Sequence, residues 1–430
     1  MARLAWTALA LSILVWSTLA SALVLSTPPH PIAHDAKLAE FRVNISNKEI
    51  HELNDHLKLF RAPHPTYENS DNGWKYGVPK DWLIDAVDYW RHEFDWRKQE
   101  RELNSIPQFR LDLNDDNGEE YSVHFAALFS AKKDAIPIIL SHGFPDSYMI
   151  YMPILQRVQK QYSGKPHELP YHLIVPSLIG MGFSSLTPRT EAFYTSDTAR
   201  ILNKLMVALG FGEKGYIAQG QDVGSMVSEY MLEYDECKAA HVTLWWGHPT
   251  YDPTTDLPSS DLEKYGLQRM AETRQWGQAN VLLHSDRSST AGLTIGGNPI
   301  SMLVWIGERM VLWSDPKKPL SLETIVATAS LYWFTQTYPT SYWIYAAFRS
   351  DPATNDTAKI ALPTRTGKPE GFSWFPNDVG LPPKSYFERN SDVFTYFYQH
   401  DEGGHFSPTE QPVTLWGDIM DFTSKVWKAE

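Results

Sequence analysis

The 430-residue chain has one cysteine, Cys237, so no intrachain disulfide and no cysteine-rich metal site can form. Basic residues are in deficit: 38 stand against 51 acidic ones, a formal charge of −13. That balance offers no cationic footprint for a phosphate backbone, and nucleic acid is not an expected partner. No internal repeat or low-complexity tract is visible, and His51, His56, His64, His124, His172 and His241 show no metal-ligand spacing. Neither a metal nor an organic cofactor is implied. With 43% hydrophobic and 21% charged residues, the chain has the composition of a globular protein with a sizeable core.

Long hydrophobic runs are also scarce, the exception being the chargeless stretch from Leu4 to Leu25 behind Arg3. It ends in Ala20-Ser21-Ala22 and Pro28-Pro29, a small-residue site of the kind cleaved from secretory leaders. About 20 apolar residues also suffice to span a bilayer, so segment 1–22 is read as a signal peptide or a membrane anchor. The expected location is the secretory pathway, secreted or anchored in the endoplasmic-reticulum membrane, with membrane contact only if the segment is retained. Asn44-Ile45-Ser46 and Asn355-Asp356-Thr357 match glycosylation acceptors.

Beyond the leader, helical patterning extends to about Leu103. Ser46 with Glu49 three residues later has capping-box spacing, and a second helix is expected from Pro79 or Lys80 to Glu93. From Gln108 the period changes to two. Phe109, Leu111 and Leu113 alternate, Asn117-Gly118 supplies a turn, and Tyr121, Val123 and Phe125 alternate again, which predicts a hairpin. The acidic run from Asp115 to Glu120 is read as its exposed turn rather than as a calcium loop. Buried-strand runs follow at Ile136–Leu140, His172–Pro176, Gly215–Ala218 and His241–Trp246, mostly with helical patterns between them, as in a parallel sheet with crossover helices. Thr250 to Phe348 reads as helices. Strands return at Gly371–Phe375 and Asp392–Tyr398, before a helix from Glu410 to Lys428.

The sharpest chemical signal is Gly220-Gln221-Asp222-Val223-Gly224-Ser225, set between a buried strand and a helix. A residue on such a turn is held out over the sheet, and small neighbours allow the sharp bend. Asp222 occupies the nucleophile position; Ser225 lies too far along the helix for serine chemistry. A carboxylate there can attack an electrophilic sp³ carbon and leave an alkyl ester that water then cleaves. Loops at strand C-termini gather into one crevice, so His142-Gly143-Phe144-Pro145 and Glu402-Gly403-Gly404-His405-Phe406 can meet Asp222. Backbone N–H groups of Phe144 and Val223 are expected to form an oxyanion hole. His405 is the candidate base, and Asp378 its orienting acid.

These motifs, in this order, resemble the epoxide hydrolases of the α/β-hydrolase fold, specifically the microsomal-like branch with fungal and juvenile-hormone members. His-Gly-x-Pro, Gly-x-Asp-x-Gly-Ser, Phe-Pro-x-Asp and Glu-Gly-Gly-His-Phe all match, and Tyr89-Trp90-Arg91-His92-Glu93-Phe94-Asp95-Trp96 resembles that branch's N-terminal meander. The resemblance implies a mostly parallel α/β sheet with a helical lid and N-terminal meander, divided as meander 33–105, core 106–248, lid 249–350 and core 351–430. It also implies two lid tyrosines that protonate the opening epoxide. Tyr345, in Trp343-Ile344-Tyr345, takes one place; Asn280 stands at the other and can donate a hydrogen bond but not a proton. Gln221 stands where glycine usually precedes the nucleophile, and Ile179 interrupts the usual Ser-x-Pro-Gly.

The implied activity is hydrolysis of a small apolar epoxide to a vicinal diol through an ester on Asp222, with Asn280 and Trp246 lining the substrate site. An epoxide-opening cyclase would use the same groups, and an impaired homologue would account for Asn280 and Gln221. An apolar patch on the lid or meander would allow a homodimer.

Overall fold

A computed structural model describes residues 25–116, 118–245, 250–277, 279–346 and 366–428. Segment 1–22, the sequon at Asn355, and Trp246 lie outside the described residues. Among those described, no helix is long and apolar enough to cross a membrane.

Nine strands form one sheet in the order β1-β2-β3-β5-β4-β6-β7-β8-β9. The strands are β1 Lys37–Phe41, β2 Gln108–Asn114, β3 Glu120–Leu128, β4 Ile136–Ser141, β5 Tyr171–Pro176, β6 Tyr216–Gly220, β7 Cys237–Val242, β8 Glu370–Trp374 and β9 Phe394–Gln399. The first three are antiparallel, β3 pairs antiparallel with β5, and the rest are parallel. The alternating pattern at β2 and β3 gives the hairpin, with Phe109 opposite Phe125 and their rings stacked at 5.4 Å. Its turn is not simply exposed: Asp115 is buried and accepts from Arg200 Nη2 at 2.7 Å. β7 lies four residues ahead of the expected strand. Exposed Lys238 interrupts its apolar pattern, and after Val242 the backbone leaves the sheet so that the Thr243 and Leu244 amides donate to Ser225 Oγ.

Among the described residues, three helices precede the hairpin: α1 Asn47–Lys58, α2 Lys80–His92 and α3 Trp96–Leu103. The capping box forms as its spacing predicts, with Ser46 and Glu49 each accepting from the other's amide. Asn104 exchanges two hydrogen bonds with the Val43 backbone, and Glu100 accepts the Ile45 amide at 2.7 Å, fastening the entering chain to α3. Trp82 of α2 lies where a side chain on Gly307 would point, which lets this segment close on the helices above the sheet.

The sheet is covered by α4 Met152–Gln161, α5 Thr195–Met206 and α6 Val223–Met231. Between β7 and β8 come α7 Asp261–Glu272, α8 Ala279–Asp286, α9 Ser288–Gly296, α10 Pro299–Leu312, α11 Leu322–Thr335 and α12 Trp343–Ala346, with no strand among the described residues. After β8 come α13 Lys384–Arg389, α14 Ser407–Glu410 and α15 Pro412–Val426. The expected last helix from Glu410 to Lys428 is α15, which begins at Pro412, a residue suited to a helix's first turn; the short α14 precedes it.

Candidate active site

β6 runs directly into α6, and the turn between them carries Asp222 at φ 51°, ψ −126°. A non-glycine residue seldom adopts positive φ, so the surroundings must hold it there. They do so by close approach. A side chain on Gly224 would strike the Ser141 carbonyl, and one on Gly143 would strike the Asp222 side chain. Both glycines are therefore required by backbone proximity.

Asp222 is 7% exposed. Its Oδ1 accepts the Phe144 amide at 2.8 Å, and its Oδ2 lies 3.2 Å from His405 Nε2. His405 Nδ1 lies 2.7 Å from Asp378 Oδ1. The imidazole is thus held between two buried carboxyl groups from different loops. Burial opposes its protonation, but Asp378 and Asp222 outweigh that penalty and raise His405 to about 10. The two carboxyl groups thus favour the protonated imidazole between them. Val223 opens α6, where N–H groups have no intrahelical acceptor, next to the Asp222 carboxyl.

Tyr345, on α12, is buried with its ring 5.8 Å from that of Phe144. Burial, and then the nearby Asp222 charge, push its phenol well above the ordinary tyrosine value. The Asn280 side chain, from α8, hydrogen-bonds Tyr345. The structure therefore brings Asp222, His405, Asp378, Phe144, Val223, Tyr345 and Asn280 together. Trp246 lies outside the described residues; the preceding Trp245 donates from Nε1 to Tyr386 Oη at 2.9 Å and packs in a core cluster beside β8.

Residues 38–151 match the family described as epoxide hydrolase N terminus, and residues 136–277 match the alpha/beta hydrolase fold. A relative from Dothistroma septosporum is 36% identical over 395 residues, 91% of each chain. The chain belongs to the epoxide hydrolase family. The Aspergillus niger epoxide hydrolase structure superposes with a TM-score of 0.82 at 36% identity, covering 94% of this chain and all of that one. Epoxide hydrolase 1 of Sus scrofa is 26% identical over 422 residues, 91% of this chain and 89% of its own.

The epoxide hydrolase site also contains groups that motif reading passed over. Gln221, noted only as a departure, donates from Nε2 to the His405 carbonyl at 2.6 Å. Glu410 accepts the amides of Phe406 at 2.8 Å and Asp315 at 2.7 Å, bracing the loop after His405 against the chain beyond α10. Burial raises Glu410 to about 7, although those two amides oppose the shift. Tyr332 donates to the Asp146 carbonyl at 2.9 Å, holding α11 to the Phe144 loop. No local motif marks Glu410, which lies five residues after His405.

Proposed function

We propose that the chain is an epoxide hydrolase acting through a covalent ester on Asp222. The observation that carries this reading is the buried line from Asp222 through His405 to Asp378, with Tyr345 close by. An Asp222 oxygen attacks an oxirane carbon; the C–O bond breaks, and Tyr345 gives its proton to the departing oxygen. Tyr345 is suited to that role because its raised pKa keeps the proton on until an alkoxide forms.

Esterification then changes His405. With Asp222 alkylated, one of the two carboxylates supporting the imidazolium is neutral, so His405 releases its proton and the Tyr345 phenolate is reprotonated. Neutral His405 takes a proton from water, whose oxygen adds to the Asp222 ester carbonyl while the Phe144 and Val223 amides hold the oxyanion. Collapse releases the diol and restores the Asp222 carboxylate and the His405 imidazolium. No step calls for a metal.

The domain division at 33–105, 106–248, 249–350 and 351–430 and the secretory role of segment 1–22 belong to the same reading. Exposed Asn44 is then a glycosylation acceptor. The test of function is His405→Gln, incubated with aryl, alkyl and terpenoid epoxides and read by peptide mass spectrometry. A substrate-mass adduct on the Asp222 peptide is expected. Its absence with every epoxide, in folded protein, would remove the hydrolase reading.

A further inference from the structure

Six histidines are buried among the described residues: His124, His142, His172, His241, His284 and His405. His124 bonds through both nitrogens, to Ser177 Oγ and Gln108 Oε1, and His142 does so with the Gly143 carbonyl and the Leu178 amide. His172 accepts the Ser130 amide, His241 bonds Ser373 Oγ, and His405 bonds Asp378. His284 differs: both its nitrogens are buried with no hydrogen-bond partner among the described residues. His241 Nδ1 and His405 Nε2 also lack a hydrogen-bond partner, but each of those rings is bonded through its other nitrogen, and His405 Nε2 faces Asp222 at 3.2 Å; of the six, His284 alone is bonded through neither.

His284 stands one turn after Asn280 on α8. Its ring centroid lies 4.2 Å from Tyr342, 4.7 Å from Tyr345, 5.4 Å from Trp305 and 5.7 Å from Phe144. Tyr345 and Phe144 are the acid and an oxyanion donor of the reaction above, so the unmet polar atoms lie one side chain from the chemistry. Burial, and then the Arg309 guanidinium, push His284 down to about 3. The ring is therefore neutral, with one N–H donor and one lone-pair acceptor. Unmet in a low-dielectric site, both cost free energy that an apolar ring of similar shape would not incur.

We propose that His284 recognises a neutral hydroxyl on the substrate, so that this enzyme is built for epoxy alcohols rather than plain hydrocarbon epoxides. The inference rests on the epoxide hydrolase reading. A hydroxyl both donates and accepts, so it suits either nitrogen in either tautomer. A carbonyl oxygen needs the N–H turned toward it, and an ammonium group would face the Arg309 charge.

The test is a matched pair, 2,3-epoxyhexan-1-ol and 3,4-epoxyheptane, in which methyl replaces hydroxyl. The ratio of kcat/KM between them is measured in the wild type, His284→Phe and His284→Gln. The wild type is expected to favour the alcohol by about tenfold or more. His284→Phe should bring the ratio toward one, and His284→Gln, which keeps a donor and an acceptor, should hold it above the phenylalanine variant's. A wild-type ratio at or below one overturns the proposal without recourse to any variant. A ratio unchanged in His284→Phe while both rates fall together also overturns it, making His284 a packed ring whose nitrogens water satisfies. Failure of the hydrolase reading looks different: neither epoxide then alkylates Asp222 in His405→Gln, whereas failure of this inference alone leaves both adducts forming alike.

Discussion

The side-chain amide of Gln221 donates to the backbone carbonyl of His405 across 2.6 Å. It joins the residue before the nucleophile to the residue that carries the base, so the turn and the histidine loop cannot drift apart independently. Glycine at position 221 would leave that carbonyl without this donor. The geometry at Asp222 and His405 is therefore set partly by a side chain the nucleophile motif does not require.

Gln221→Ala should slow ester hydrolysis more than ester formation, because the lost bond orients the base. A hydrogen bond worth about 0.5–1.5 kcal/mol corresponds to a roughly two- to twelvefold fall in kcat. Single-turnover kinetics should show the Asp222 adduct accumulating. Equal slowing of both phases would mean that Gln221 supports the turn instead.

Tyr345→Phe should lower the alkylation rate by about 10²–10⁴-fold, the usual contribution of a positioned acid. Asn280, which hydrogen-bonds Tyr345, has no proton to give in its place. Stopped-flow measurement of ring opening checks this. A loss below about threefold would show that another group supplies the proton.

Asp222→Asn should reduce turnover by at least about 10³-fold and also lower the pKa of His405. A histidine raised in the folded state contributes stability below its unfolded value of 6.5, and loses it as pH rises through about 10. Removing the Asp222 charge should make melting temperature fall less steeply between pH 7 and 10, and imidazole NMR shifts should report the lower titration. An unchanged His405 titration would show that Asp378 alone sustains the imidazolium.

What the sequence revealed depends on how locally each feature is encoded. The β2–β3 hairpin and the Ser46 capping box rest on spacings of two and three residues, and both are where periodicity puts them. β7 lies ahead of the apolar run that predicts it, because Leu244, Trp245 and Trp246 extend that run beyond the point where the backbone turns to Ser225 Oγ. The motifs named the residues that meet around Asp222. They could not reveal the Gln221 tether, the two amides on Glu410 or the unpartnered nitrogens of His284, since each depends on atoms brought together from distant segments.

Glu410 provides a test of how that loop is held. Its carboxyl is raised from 4.5 to about 7, chiefly by burial. Between those values the folded protein binds a proton that the unfolded chain has lost, so stability from this group is complete below pH 4.5 and declines as pH rises through 7. The whole change is up to about 3 kcal/mol. Glu410→Gln cannot titrate, and its thermal stability should fall less than the wild type's between pH 5 and 7.5. The variant retains one acceptor oxygen for two amides, so kcat should also drop with KM little altered. Calorimetry at the two pH values decides the matter: parallel pH slopes in both proteins would show that Glu410 is already ionised in the fold and braces the His405 loop as a carboxylate throughout.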